Sequence, residues 1–176
     1  MNREPDSASQ SQPLAFTPCP RNSREYRNAL GQFGTGVTIV TTSTDGGPIG
    51  ITVNSFASVS LDPALVLWSP AKGSKHFTTF ESASHYAIHV LDHAQADLAA
   101  RFARDAQSFQ YCDWHTGDNG NPLIEHTVAR FECARLHSHD GGDHAIVVGR
   151  VLKAANFGGE PLMFVGGEFG RFTGAA

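Results

Sequence analysis

Four stretches of the chain carry side chains able to do chemistry. Ser69-Pro70-Ala71-Lys72-Gly73-Ser74-Lys75 places two ammonium groups and two hydroxyls around a small glycine. That set can wrap a phosphate through charge and hydroxyl donation, although a solvated surface loop has the same composition. His137-Ser138-His139-Asp140-Gly141-Gly142-Asp143-His144 holds three imidazoles and two carboxylates, all metal-ligand types. A Gly141-Gly142 turn would set His139 opposite His144 and point His137 to the same face. The stretch therefore reads as a divalent-metal site using His137, His139 and His144, as a polar hairpin cap, or as an Asp143–His144 pair beside a nucleotide. Thr52, Asn54, Ser58 and Ser60 occupy alternate positions and share a face if their strand is regular. Such a row suits the polar edge of a bound cofactor, and equally the wet edge of a barrel. Gly31-Gln32-Phe33-Gly34-Thr35-Gly36 has the glycines of a dinucleotide fingerprint in the wrong context. It follows a helix and opens a strand, whereas the fingerprint needs strand, glycines, then helix.

The elements that must position these groups are mostly strands. Asn22-Ser23 offers an N-cap to a helix carrying Tyr26, Leu30 and Phe33, which Gly34 and Gly36 stop. Val37 to Thr42 is β-branched throughout, Asp45-Gly46-Gly47-Pro48 turns, and Ile49 to Phe56 returns as the hairpin partner. After Asp62-Pro63, Ala64 to Ser69 is an apolar strand. Helices are expected around His76–Ser82 and Gln95–Arg104, with a strand from Tyr86 to Leu91 between them. Residues 105–122 read as a long loop. Val128–Leu136 and Ala145–Ala155 read as paired strands, and Pro161–Phe172 holds one or two more. Many strands, with a few helices that do not alternate with them, make a mainly β (α+β) antiparallel barrel.

The 176 residues suit one domain with one core. Residues 1–21 are polar, rich in Ser, Gln and Pro, and are expected to be a disordered tail ahead of a domain at 22–176. The net charge of −4 argues against a nucleic-acid surface. No apolar run approaches a membrane span, and the N-terminus lacks a signal-peptide pattern. Cys19, Cys112 and Cys133 are odd in number and scattered, which supports reduced thiols in a cytoplasmic protein over a disulfide framework or zinc knuckle.

In order along the chain, Phe33-Gly34-Thr35-Gly36-Val37-Thr38, Gly50-Ile51-Thr52-Val53-Asn54-Ser55-Phe56, Ser60-Leu61-Asp62-Pro63, Ser69-Pro70-Ala71-Lys72, Pro122-Leu123, Gly142-Asp143-His144, Pro161-Leu162 and Phe169-Gly170 resemble the short-chain flavin reductase family. Those proteins are the reductase components of two-component flavin-dependent monooxygenases. The resemblance spans about Tyr26 to Phe172. It implies an FMN-binding, flavin reductase-like split β-barrel that forms a homodimer with flavin near the subunit interface. It implies hydride transfer from NADH or NADPH to non-covalent FMN or FAD (EC 1.5.1 type), and a monooxygenase partner taking the reduced flavin. Thr35, Thr52, Val53, Asn54, Ser55, Ser58 and Phe169 would then contact the cofactor, while Lys72, Ser74 and Lys75 hold its phosphate. His144 with Asp143 would be the catalytic pair where nicotinamide arrives, and no metal would be needed. Gly73 stands where many relatives carry Ser, and Phe164 and Phe169 where Tyr is frequent. A non-catalytic flavin carrier or sensor is the alternative with the same contacts, and a metal-dependent enzyme the more distant one.

Overall fold

The computed structural model describes residues 15–174. Residues 1–14 of the expected tail lie outside the described residues. A 3-10 turn at Pro20–Asn22 leads into α1 (Ser23–Leu30), which buries none of its residues. Then come β1 (Thr35–Gly36), β2 (Thr38–Thr44), β3 (Gly47–Val53), β4 (Ala57–Leu61), β5 (Ala64–Trp68), α2 (Phe77–Ser82), β6 (His85–Val90) and α3 (Ala96–Phe102). The second half holds β7 (Trp114–Thr116), β8 (Pro122–Ile124), β9 (Ala129–Gly141), β10 (His144–Asn156), β11 (Leu162–Val165) and β12 (Glu168–Arg171). Among the described residues no helix is long and apolar enough to cross a membrane.

Seven strands form one antiparallel sheet in the order β3-β2-β6-β9-β10-β5-β4; β1, β11 and β12 form a small sheet, and β7 with β8 a hairpin. β2 holds the architecture together because both its faces are covered. Ile39 packs among Leu98, Ala99 and Phe102 of α3, while Val40 points into the other cluster with Trp68, Phe80 and Tyr86. The 3-10 turn His93–Gln95, which runs straight into α3, opens on a capping box: Asp92 accepts from the Ala94 N–H at 2.9 Å, and the Gln95 side chain accepts from the Asp92 N–H at 3.0 Å.

The mainly β, split-barrel expectation holds, and the sheet order shows why the barrel closes. β3 and β4 are opposite edges of the seven-stranded sheet, yet only Asn54, Ser55 and Phe56 connect them. Four Cα steps span at most about 14 Å. The sheet must therefore curl until its edges nearly meet, leaving a split where β3 ends. Ser55 stitches that split, its Oγ accepting the Ser69 N–H at 2.9 Å.

Three expectations change here. The helix expected to carry Phe33 and stop at Gly34 ends at Leu30, where Gly31 caps it. The strand read as Ile49 to Phe56 ends at Val53, and Ala57–Leu61 pairs with β5 instead. Thr52, Asn54, Ser58 and Ser60 therefore do not share one face. The supposed loop 105–122 contains a 3-10 turn, Ser108–Tyr111, as well as β7.

Candidate functional site

A groove of about 260 Å³ lies in the split. The end of β3 supplies Ile51, Thr52 and Val53, and the connection to β4 supplies Asn54 and Ser55. Ser69, Pro70, Ala71 and Ser74 follow β5, Phe102 and Ala103 end α3, and His144 opens β10. A second hollow of about 210 Å³ shares Ile51, Ser74, Phe102 and Ala103 with it and adds Lys75, His76, Arg104 and Ala106. The two form one trough, apolar at Ile51 and Phe102, polar at Asn54 and Ser55, and cationic at one end.

The local geometry fixes what several side chains can offer. Thr52 donates its hydroxyl proton to the Ala99 carbonyl at 2.7 Å, so it presents an acceptor oxygen to a ligand. Asn54 and Ser55 sit where the chain leaves the ladder, which frees backbone groups for a ligand. His144 Nδ1 lies 2.8 Å from Asp143 Oδ1. With the carboxylate as acceptor, that bond leaves Nε2 of the neutral ring unprotonated. His144 beside it holds the Asp143 carboxyl below the usual carboxylate range.

Of the residues singled out from sequence, Thr52, Val53, Asn54, Ser55, Ser74 and His144 line the main groove, and Lys75 lines its extension. Asp143 stands behind His144. Ser58 is exposed on β4, opposite Val66 at a bulge, and does not line the groove. Thr35 and Phe169 lie in the small sheet, both beside Phe164: Thr35 is its register partner on one side and Phe169 on the other. Lys72 is ion-paired with Asp140, away from the trough lining.

Arg104, Phe102 and Ala103 were missed. Phe102 reads as core from its helical spacing, and it is core; its second role at the groove has no sequence signal of its own. Arg104 reads as an ordinary cation at a helix C-terminus.

The register moves His144 two residues away from the place opposite His139 that the metal reading needs. The turn residues are Gly142 and Asp143, so His144 faces Gly141 across the hairpin and His139 faces Ile146. Gly142 alone takes the left-handed conformation, at φ 79°. Among the described residues no three His, Cys, Asp or Glu side chains converge as a ligand set.

Comparison with known proteins gives a consistent picture. Residues 30–173 match the flavin reductase like domain family. The chain is 59% identical over 158 residues to the FMN reductase (NADH) SmoA of Agrobacterium fabrum, covering 90% of this chain and 91% of that protein. It is 40% identical over 148 residues to the flavin-dependent monooxygenase reductase subunit HsaB of Rhodococcus jostii, covering 83% and 76%. The solved structure of the Streptomyces globisporus NADH:FAD oxidoreductase SgcE6, in complex with NAD and FAD fragments, superposes with a TM-score of 0.84 at 38% identity, covering 90% of this chain and 98% of that one.

Proposed function

The chain belongs to the flavin reductase like domain family, and from that premise we propose that it transfers hydride from NADH to FMN or FAD and supplies the reduced flavin to a partner monooxygenase. The observation that carries this reading is the trough across the barrel split. Its apolar floor at Ile51 and Phe102 suits a flat ring system, and Lys75 and Arg104 at one end suit a phosphate. A bound flavin supplies the hydride-accepting chemistry.

The protein's own groups bind, orient and balance charge. Lys75, Arg104 and Ser74 would hold the phosphate, Arg104 through its planar fork. The Asn54 amide and the backbone released at Asn54 and Ser55 would donate toward the ring edge where negative charge develops on reduction. Thr52, its proton committed to Ala99, can only accept, and would meet a ring N–H instead of the developing charge. His144, oriented by Asp143, would border the nicotinamide. No proton transfer by a side chain is required. The same reading makes the protein a cytoplasmic homodimer. The exposed apolar side chains of Leu30, Phe33 and Phe172, more than one chain by itself can cover, support the dimer.

The test is NADH consumption by purified protein with added FMN or FAD. Multiple turnovers that depend on free flavin are expected. Flavin binding without turnover would leave a carrier, and no flavin binding would overturn the reading. His144→Ala should raise the KM for NADH about fivefold, the worth of one hydrogen bond of about 1 kcal/mol, with flavin affinity unchanged. An unchanged KM would remove His144 from the nucleotide site.

A further inference from the structure

Lys72 belongs by composition to a phosphate loop, but its ammonium is engaged elsewhere. It ion-pairs with Asp140 Oδ1, at the end of β9 on the far arm of the β9–β10 hairpin. Its own backbone is tied to the near arm: Lys72 N–H donates to the Asp143 carbonyl at 2.9 Å. Ala71 bridges to His144, and the Ala145 N–H donates to the Pro70 carbonyl at 3.1 Å. Lys72 thus grips β9 with its side chain and the turn with its backbone, next to the Pro70 and Ala71 contacts that hold the start of β10, whose first residue lines the groove. The Asp140 carboxyl is held below its usual range chiefly by Lys72, and Lys72 adds a weaker pull on Asp143.

We propose that Lys72 is a positioning residue for nucleotide binding: its ion pair with Asp140 clamps the Gly142–Asp143 turn to the Ser69–Lys75 loop and so sets where His144 stands on the groove rim. The inference rests on the reading of His144 as a contact for NADH. It removes Lys72 from the phosphate ligands and leaves Lys75 and Arg104 as the cations of the trough. The turn needs such a clamp because Gly142 and Asp143 are exposed, and their only other anchors on the loop are backbone bonds. An exposed ion pair is a modest device, so its effect belongs on a binding constant and not on the fold.

The experiment compares Lys72→Met, Asp140→Asn and the charge-swapped pair Lys72→Asp with Asp140→Lys, by steady-state kinetics and by direct flavin titration. Each single substitution should raise the KM for NADH by about two- to fivefold, with kcat and flavin affinity unchanged, and the swapped pair should restore it. Amide exchange at Lys72 and Ala145 should speed up in both single variants, a readout that does not depend on turnover. If Lys72→Met weakens flavin binding while Asp140→Asn does not, Lys72 is a phosphate ligand and the clamp is overturned. Unchanged KM and unchanged exchange in both single variants would overturn it as well. Faster exchange in a protein that fails to oxidise NADH would support the clamp and refute the reading of the site.

Discussion

His89 shows what a single ring can do inside a sheet. It is fully buried on β6. Nδ1 lies 3.0 Å from the Ile39 carbonyl, and Nε2 accepts the Ile124 N–H at 3.1 Å, so one neutral ring joins β2, β6 and β8. Desolvation pushes its pKa down to about 3, against the smaller upward effect of the Ile39 carbonyl. The unfolded chain takes up a proton near pH 6.5, and the native state takes it up only near 3. Stability from this group is therefore complete above about pH 6.5 and is lost as pH falls toward 3, at about 1.4 kcal/mol per pH unit. His89→Gln, which cannot titrate, should be less stable than the parent at neutral pH by about 2–3 kcal/mol. The gap in urea-unfolding free energy should then narrow at that slope between pH 6 and 4. Parallel pH curves for the two proteins would contradict the assignment. Nothing in the sequence separates His89 from the eight other histidines, because its partners come from Ile39 and Ile124, far away in the chain.

At the scale of elements, β10 contains a constraint that its apolar run conceals. The register of β10 against β9 shifts between Val148 and Gly149. A Cβ on Gly149 would collide with the Tyr86 hydroxyl and lie 2.9 Å from Cζ. Gly149→Ala should therefore destabilise the fold by about 1–3 kcal/mol through overpacking. Tyr86→Phe, which deletes the colliding oxygen, should recover part of that loss in the double variant. Equal denaturation midpoints for the parent and Gly149→Ala would show that the strand shifts freely. A glycine inside a strand is a legible sign of a bulge or close approach. The strands β2, β5 and β6 were equally legible, because β-branched and apolar runs mark them. β4 was not: Ala-Ser-Val-Ser-Leu is largely exposed, and an edge strand without a buried face leaves no period to read. The same blindness hid the break after Val53, and with it the reason the groove exists. The hairpin at 140–144 was placed correctly but with its turn one residue early, which moves every cross-strand pair by two; two adjacent glycines permit either turn, and Ile146 packs against Gly141 in the one observed.

At the scale of the whole molecule, one chain leaves several large apolar side chains bare. α1 buries nothing, Phe33 is 80% and Phe172 71% exposed, and Leu30 and Val165 join them. An eight-residue helix is not stable on its own propensity, and the homodimer proposed above would cover α1. Sedimentation should find a particle of twice the 18.9 kDa chain mass, and Phe33→Asp with Leu30→Asp should shift it toward the monomer; a parent protein that sediments as a monomer would refute the dimer. The family resemblance made the barrel and the groove's central segment legible, but not the far wall built by α3, whose residues are read first as core. That wall and the strand ends of β3 are tied into the hydrophobic interior, whereas the Ser69–Lys75 loop, the Gly142–Asp143 turn and Arg104 are anchored mainly at the surface. For evolution this amounts to a division between what is inherited and what is editable. Substitutions around the lip can retune the choice of flavin or nucleotide at little cost to folding, whereas those in the floor disturb the core as well.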